Sequence, residues 1–394
     1  MAIPVVEPER YSEQLNAKRE TLEALLAEFS PPPLEVMESP PGYYRQRCEF
    51  RIWHDGDDLF YAMFEVDPAN PANKSVIRLD QYPVASARIN ALMPALRNAF
   101  LASHELRHRL FQIEFLTTLA GEALVTLVYH RPLGDAWEEE ARALEQALGI
   151  MIIGRSRKQR KVLTRDYVWE KLAVDGQQWH YQQVENSFTQ PNALVCQKML
   201  SWARSVTAGS QTGDLVELYC GNGNFTVALA ENFRRVLATE ISRTSVASAK
   251  VNFAANGITN AQVVRMSAEE FAQALRGEKG GRRVAEMALD DYQFSTVLVD
   301  PPRAGLDRGG TRTADQSRPD RAGARVRVDR PASRSGHGAA RDAARRLGAR
   351  RRGPAASGSV GARHNAVARG ASARRAAPRQ DAGRRRAAGV PGGR

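Results

Sequence analysis

The chain has 394 residues, with 56 basic and 44 acidic side chains and a formal net charge of +12. Its three scattered cysteines exclude a disulfide framework and show no spacing of a zinc or iron–sulfur site. No apolar run reaches the roughly 18 residues of a membrane span, and the short acidic N-terminus is unlike a signal peptide. We therefore expect a reduced, cytoplasmic protein with no metal and no membrane partner.

The charge is unevenly distributed, because the composition changes after Asp307. Residues 308–394 contain 23 Arg, 21 Ala and 14 Gly, with only 5 acidic side chains. Residues 1–307 therefore carry 33 basic and 39 acidic side chains, a net charge of −6. The overall basicity belongs to this tail and is weak evidence for nucleic-acid binding. With so few apolar groups, the tail is predicted to be disordered.

Residues 1–185 are predicted to form an α+β region. The apolar spacing of residues 8–29 predicts a helix that ends at three consecutive prolines. Two hairpins are predicted, at residues 44–64 around an Asp-Gly turn and at 111–130 around an Ala-Gly turn, with a helix at 86–103 between them. Residues 151–163 are predicted to be a strand with a basic stretch, which is either a second RNA-binding patch or a solvated loop.

From residue 186 onward, strands and helices alternate. Strands are predicted at 213–219, 234–240, 261–266 and 294–300, with helices at 224–233, 242–257 and 267–277. This alternation predicts an α/β fold with a doubly wound, parallel, Rossmann-like sheet. Such sheets bind ligands beyond the carboxyl ends of their strands.

Two of these strand ends carry a candidate cofactor site. The first leads into Gly221-Asn222-Gly223, where the glycines allow a sharp turn and a close approach to a ligand. The second ends at Glu240, 19 residues beyond Gly221, where a carboxylate can bind both hydroxyls of a ribose. The pattern departs from the dinucleotide fingerprint at Phe225. The alternative is a tight turn with Glu240 as a helix cap.

The fourth strand ends in Asp300-Pro301-Pro302-Arg303. Proline fixes the backbone and removes a hydrogen-bond donor, so this loop can present its carbonyl groups without rearranging. Such a loop suits the positioning of a flat base or an amine. The alternative is a turn that only terminates the strand.

Four segments in order resemble the bacterial tRNA (uracil-5)-methyltransferases, the TrmA family. They are VENSFTQPN at 184–192, ELYCGNGNF at 217–225, LATEIS at 237–242 and VDPPRAGLD at 299–307. The resemblance covers residues 8–307 and implies an RNA-binding region over residues 1–185 and an S-adenosylmethionine domain over 186–307. It implies five side chains in contact with S-adenosylmethionine: Gln190, Tyr219, Asn224, Glu240 and Asp300.

The resemblance also implies a reaction, the methylation of a T-loop uridine of tRNA at C5 by a monomer, with tmRNA as a further substrate. Uracil C5 becomes nucleophilic only after a thiolate adds to C6, and a base must then remove the C5 proton. The target base must also be flipped out of its stack. In the family the cysteine and the glutamate for these steps follow the position of Asp307, where this chain has neither. We therefore assign no catalytic residue and expect this chain to be inactive.

The composition of the tail suggests its origin. Arg, Ala, Gly and Pro have codons made mostly of G and C, so a GC-rich gene read out of frame yields such a sequence. We interpret residues 308–394 as a frameshift product. The alternative is an Arg/Gly-rich RNA-binding tail, although aromatic residues and regular RGG repeats are absent from it.

RNA contacts are expected from the first region. Arg45, Arg47 and Arg51 alternate along one strand and can reach phosphates from a shared face. Phe111 and His130 are candidates to stack on unpaired loop bases. The alternatives are a solvated strand face for the arginines and a core position for Phe111.

Two other functions remain open. One is a uracil-C5 methyltransferase that acts on ribosomal RNA, although the iron–sulfur cysteines and extra N-terminal barrel common in those relatives are missing from the sequence. The other is a non-catalytic RNA-binding or tRNA-folding factor, which the first region and the basic tail would support without any chemistry.

Overall fold

The computed structural model describes residues 6–27, 33–67, 70, 73–278 and 280–300. The tail and residues 301–303, for which a ligand-positioning loop was predicted, lie outside the described residues. The predicted disorder of the tail therefore stays a prediction. Among the described residues, no helix is long and apolar enough to cross a membrane.

The described elements are helices and strands with the following bounds. The helices are α1 (Tyr11–Leu26), α2 (Ala87–Ala102), α3 (His104–Arg107), α4 (Asp135–Leu148), α5 (Ala193–Val206), α6 (Asn224–Leu229), α7 (Arg243–Ala255), α8 (Ala268–Leu275) and α9 (Arg282–Ala285). The strands are β1 (Arg47–Asp55), β2 (Asp58–Val66), β3 (Lys74–Leu79), β4 (Leu110–Thr117), β5 (Ala123–Tyr129), β6 (Met151–Ser156), β7 (Gln159–Val162), β8 (Tyr167–Val174), β9 (Gln177–Val184), β10 (Asp214–Leu218), β11 (Arg235–Glu240), β12 (Ala261–Arg265) and β13 (Phe294–Val299).

The first sheet has seven strands in the order β3-β2-β1-β4-β5-β6-β7. Both predicted hairpins, β1–β2 and β4–β5, are confirmed, and the predicted helix between them is α2. The basic stretch was predicted within one strand, and this is wrong. It forms the hairpin β6–β7, in which Arg155 faces Arg160.

One face of this sheet carries the first hydrophobic core. On β1, Cys48, Phe50 and Ile52 are buried there against α2 and α4. The residues between them in sequence point to the other face, because side chains alternate along a strand. Near β5 and β6 that outer face is covered by the β8–β9 hairpin, through a small core around Val168.

The second sheet has the order β12-β11-β10-β13, and its described pairs are all parallel. The predicted alternation of strands and helices is therefore confirmed. The chain runs from β10 outward to β11 and β12 and then crosses back, so that β13 pairs with the other side of β10. The connection after β10 leads to the strand on one side of it, and the connection after β12 leads to the strand on its other side. Such a switch point opens a crevice at the carboxyl ends of the strands.

The β8–β9 hairpin packs on the helices that follow it in the chain. Leu172 and Tyr181 share a buried core with α5 and α6. Two asparagine side chains at the C-terminal end of α7 bind the backbone of β9. Asn252 Oδ1 accepts from the Gln182 amide at 2.6 Å, and Asn256 Oδ1 accepts from the His180 amide at 2.8 Å. The boundary predicted at residue 185 stays a prediction.

Candidate functional site

A cleft of about 780 Å³ opens at the carboxyl ends of β10, β11 and β13. Its lining includes the five side chains predicted to contact the cofactor. They come from the loop before α5, the end of β10, the start of α6, the end of β11 and the end of β13. These side chains are Gln190, Tyr219, Asn224, Glu240 and Asp300. The fold thus brings together residues that span 110 positions of the chain.

The floor of the cleft is the loop between β10 and α6. Tyr219, Gly221 and Gly223 all have left-handed backbone conformations, with φ of 61°, 58° and 80°. A Cβ built on Gly223 would lie 2.7 Å from the Phe253 ring, whereas one on Gly221 would meet nothing within 4 Å. Gly223 therefore lets the loop pack closely on α7, and Gly221 leaves open space on the side of the cleft.

Glu240 joins this loop to the start of α7. Its Oε2 accepts from the Gly221 amide at 3.0 Å, and its Oε1 accepts from the Ser242 amide at 2.7 Å. The N-cap of α7 is Ser242, so Glu240 is not the capping residue. Each carboxylate oxygen has a second lone pair, so both can also accept from the hydroxyls of a ligand.

Gln190 and Asp300 meet at another side of the cleft, where Gln190 Nε2 donates to Asp300 Oδ2 at 3.1 Å. Partial desolvation raises the pKa of the Asp300 carboxyl. The backbone around Gln190 is held by the residues before β1: the Gln46 amide donates to the carbonyl of Pro191 at 2.8 Å.

Asn224 is held by two buried side chains. The Tyr181 hydroxyl donates to the Asn224 carbonyl at 3.0 Å, and Asn224 Nδ2 lies 3.3 Å from Cys196 Sγ. The amide is thereby oriented at the first turn of α6, on the cleft side.

Three further cleft residues were missed by the sequence prediction. Glu217 is 2% exposed. Burial raises its pKa to about 8, with Asp300 adding to the rise and a hydrogen bond from Thr226 opposing it. The sequence feature that could have identified Glu217 is a single carboxylate near the end of an otherwise apolar strand. Phe188 and Ile241 also line the cleft and are 66% and 65% exposed. Ile241 could have been identified from the sequence because it directly follows Glu240.

The cysteines are unsuited to nucleophilic attack. Cys48, Cys196 and Cys220 are free and buried. Desolvation raises the pKa of Cys48 to about 12 and that of Cys196 to about 11, and it raises the pKa of Cys220 well above its usual range. The described residues include every cysteine of the chain, so no thiolate is available near neutral pH.

The arginines were predicted to alternate along one strand, and this is wrong for Arg45, which lies before β1. The three also differ in their surroundings. Arg45 Nε donates to the Arg47 carbonyl at 2.8 Å, and Arg47 Nη1 donates to the Ser187 carbonyl, in the cleft loop, at 2.6 Å. Arg51 lies over the Phe111 ring, 4.0 Å from its centroid. Within the described part of the chain, none of the three forms an ion pair.

Phe111 and His130 form a stack, with ring centroids 4.0 Å apart and planes inclined by 26°. Phe111 is half-buried and His130 is exposed, so Phe111 is not a core residue. With Arg51 above Phe111, the structure brings three of the predicted RNA-binding side chains into one column.

The second basic patch is largely neutralised. Arg155 binds Glu185 through two contacts of 2.6 Å, and Arg160 contacts Glu185 at 3.3 Å and Asp166 at 2.7 Å. Burial by itself raises the pKa of the 3%-exposed Glu185 carboxyl, but the two guanidinium groups outweigh it and lower that pKa. Both arginines line the cleft.

The sequence of the chain matches a known protein family. Residues 10–316 match the family model described as tRNA (Uracil-5-)-methyltransferase. The chain belongs to this family. The predicted family is therefore confirmed, and the match ends shortly after the break predicted at residue 307.

Two tRNA (uracil-5)-methyltransferase relatives cover most of the chain. A tRNA/tmRNA (uracil-C(5))-methyltransferase of Chromohalobacter salexigens is 73% identical over 307 residues, which are 78% of this chain and 82% of that protein. A protein of the same name from Vibrio atlanticus is 53% identical over 314 residues, with 78% and 84% covered.

A solved structure resembles the fold. It is the crystal structure of Pyrococcus abyssi tRNA (uracil-54, C5)-methyltransferase in complex with S-adenosyl-L-homocysteine, with a TM-score of 0.55 and 19% identity. The similarity covers 77% of this chain and 71% of that one. The predicted fold class, an α/β methyltransferase domain with a parallel sheet, is confirmed.

Proposed function

We propose that this chain is built as an S-adenosylmethionine-dependent tRNA uracil-C5 methyltransferase, with a T-loop uridine as target. The observation that carries the proposal is the cleft, in which the five predicted cofactor side chains converge in a member of this family. The names of its relatives, tRNA/tmRNA (uracil-C(5))-methyltransferases, support tRNA as substrate and tmRNA as a further one. We also propose that it acts as a cytoplasmic monomer.

The cleft residues fit the proposed cofactor. S-adenosylmethionine supplies an electrophilic methyl group and carries a ribose and an adenine. Glu240 presents two oxygens for the ribose hydroxyls. Ile241 gives an exposed apolar surface for the adenine, and Gln190 with Asp300 offers polar partners for the charged end.

The RNA surface is proposed to be the column of Arg51, Phe111 and His130 together with Arg47. Aromatic rings and guanidinium planes stack on unpaired bases, which is how proteins usually recognise RNA loops. Arg47 binds the carbonyl of Ser187 in the cleft loop, so the proposed RNA surface is joined directly to the proposed cofactor site.

We further propose that this chain lacks methyl-transfer activity. The chemistry needs a thiolate at C6 of uracil, and the three cysteines are buried with raised pKa values. The matches reach only 82–84% of the relatives' length. This supports the interpretation that the family's nucleophile and base are replaced here by out-of-frame sequence.

Cofactor binding and methyl transfer can be tested separately. The full chain should bind S-adenosylmethionine in a calorimeter, and Glu240→Ala should weaken binding tenfold or more, because hydrogen bonds to charged groups contribute about 1.5–3 kcal/mol. The same substitution at an exposed glutamate, Glu269→Ala, serves as a matched control. Absence of cofactor binding by the unmodified chain would contradict the proposed function.

Methyl transfer is measured with unmodified tRNA and labelled cofactor, beside the Chromohalobacter salexigens relative. We expect transfer by the relative and none by this chain. A rate equal to that of the relative would refute the inactivity proposal and leave the family function standing.

A non-catalytic RNA-binding or tRNA-folding role is a second candidate. It is favoured by the column of Arg51, Phe111 and His130, which is complete without any residue after Asp307. The test is whether the inactive chain accelerates the refolding of denatured tRNA and whether Phe111→Ala removes that effect.

A further inference from the structure

The outer face of the first sheet carries an exposed aromatic pair. Trp53 on β1 is 41% exposed and Phe64 on β2 is 37% exposed. Their ring centroids lie 6.3 Å apart, with planes at 70°. Beside them, Phe60 is opposite Trp53 in the β1–β2 register, and the Arg78 guanidinium lies 5.0 Å from the Phe60 ring centroid.

This pair is continuous with the column described above. Arg51 and Trp53 are two residues apart on β1 and share its outer face. Opposite Arg51 lies Ala62, which is small and only 1% exposed. Trp53 and Phe64 therefore lean towards each other over Ala62, next to the Arg51 side chain. We call Phe64, Trp53, Arg51, Phe111 and His130 the aromatic strip.

The Trp53 and Phe64 rings lie on the face of the sheet that does not pack on the first hydrophobic core. The alternate residues of β1 are packed on the other face, with Phe50 and Ile52 buried. Trp53 and Phe64 remain open to solvent in the described part of the chain. Exposed large apolar side chains that form a patch commonly mark an interaction site.

The strip combines one cation with flat aromatic rings, and its acidic neighbours on the outer face of β1 are Glu49 and Asp55. Arg51 forms no ion pair among the described residues, and its Nη1 is buried there without a hydrogen-bond partner. The nearby acid Asp58 is engaged by Arg78 and Arg97. A cation stacked on an aromatic ring, beside further exposed rings on a sheet, matches the chemistry of unpaired RNA bases.

We propose that Trp53 and Phe64 form a second base-stacking platform for unpaired nucleotides of the RNA substrate. The proposal rests on the proposed function, since it takes RNA as the ligand. Directly paired residues on β1, β4, β5 and β6 form a row across the sheet: Arg51, Gln112, Val128 and Arg155. The last of them, Arg155, lines the cleft. Three strand spacings of about 4.8 Å separate these arginines, so one RNA loop can occupy both the cleft and the strip.

Binding of a fluorescent RNA hairpin with an unpaired loop tests the platform. In the full chain, Trp53→Ala combined with Phe64→Ala should weaken binding of the looped hairpin about 10- to 100-fold, as expected from the loss of base stacking. Binding of a blunt duplex with the same stem should change little. The dependence of affinity on salt should also stay the same, because no phosphate contact is removed.

Two variants serve as controls. Trp53→Phe keeps an aromatic face and should restore most of the affinity. Leu25→Ala removes another exposed apolar side chain, on α1, and should leave RNA binding unchanged. Cofactor affinity should be the same in all variants, which separates a platform from a general loss of structure.

The outcomes distinguish the platform from the function itself. If the double variant binds the looped hairpin as well as the unmodified chain while Phe111→Ala weakens binding, the platform is refuted and RNA binding stands. If the unmodified chain binds neither RNA, the proposed function also fails. Should the double variant not fold, ultraviolet crosslinking of 4-thiouridine in the loop to the unmodified chain decides: no adduct at Trp53 or Phe64 overturns the platform.

Discussion

Arg47 donates from Nη1 to the carbonyl oxygen of Ser187 at 2.6 Å, across 140 positions of the chain. The hydrogen bond joins the first strand of the seven-stranded sheet to the loop that carries Gln190. Arg47 was predicted to reach RNA phosphates, a role that stays a prediction. The structure gives the same side chain a second task, which is to support the cofactor cleft from the side of the RNA surface.

Replacing Arg47 should therefore affect both ligands. We expect Arg47→Ala to weaken cofactor binding severalfold, because only part of the about 1.5–3 kcal/mol lost with a charged donor is transmitted through the freed loop to the cofactor site. Arg51→Ala, on the same strand, should weaken RNA binding and leave cofactor binding unchanged. Calorimetric titration of the two variants measures this. Equal cofactor affinities for both would show that the contact with Ser187 does not support the cleft.

The two glycines Gly223 and Gly209 provide a test of the cleft floor. They have nearly the same φ, 80° and 79°. A Cβ on Gly223 would lie 2.7 Å from the Phe253 ring, whereas a Cβ on Gly209 has open space.

Gly209→Ala should therefore lower the free energy of unfolding by only about 1–2 kcal/mol, from backbone strain. Gly223→Ala should cost about 1–3 kcal/mol more, because overpacking adds to the strain. Urea unfolding of the two variants measures the difference. Equal losses would mean that Phe253 moves aside without cost.

Glu217 should make stability depend on pH. Its folded pKa is raised to about 8 from an ordinary value of 4.5, so ionisation is harder in the folded state than in the unfolded one. The contribution of this group to stability is therefore most favourable below pH 4.5, declines as the pH rises from 4.5 to 8, and is constant above. Charged or titratable neighbours in this environment are Asp300, Cys220 and Tyr181.

Glu217→Gln removes this ionisation and keeps an oxygen for Thr226. The stability advantage of the variant over the unmodified chain should grow between pH 5 and pH 9 by on the order of 4 kcal/mol, at about 1.36 kcal/mol per pKa unit. Chemical unfolding at the two pH values measures it. A difference that does not change with pH would contradict the raised pKa.

The Arg155–Glu185 pair should be sensitive to the loss of one partner. Glu185 is 3% exposed, so Arg155→Ala leaves a buried carboxylate whose remaining cationic partner among the described residues is Arg160. We expect a loss of about 3 kcal/mol in the free energy of unfolding. The double variant Arg155→Ala, Glu185→Gln should recover part of it, because it also removes the buried charge. A double-mutant cycle measures the coupling, and strictly additive losses would contradict it.

The β6–β7 hairpin shows where prediction from the sequence was limited. Residues 151–163 were predicted to be one strand because no turn dipeptide such as Asn-Gly or Asp-Gly interrupts them. The turn is made by Lys158, which adopts the left-handed conformation with φ of 64°. There was no turn signal in the sequence here, because the turn residues are neither Gly nor Asn nor Asp. Arg155 and Arg160, on the two strands of the hairpin, both bind the distant carboxylate of Glu185.

The sequence alone determined the parallel sheet and placed Gly221, Glu240 and Asp300 at its carboxyl edge. These depend on local spacing: apolar runs of strand length, a helix after each, and Gly221 and Glu240 directly after two strands. Parallel strands end on the same edge, so residues that follow them must meet there. The predicted cofactor contacts at Gln190, Tyr219 and Asn224 came only from the family resemblance, although the structure brings all three to the same cleft.

The tertiary structure alone decided the burial and the long-range partners. The raised pKa values of Glu217 and the three cysteines, the contact of Arg47 with Ser187 and the exposure of Trp53 beside Phe64 could not be read from the sequence. Each depends on which distant residues surround a side chain, because desolvation and ion pairing act through space. Local patterns specify the strands and their ends, whereas the packing of separate segments sets the chemistry of the groups between them.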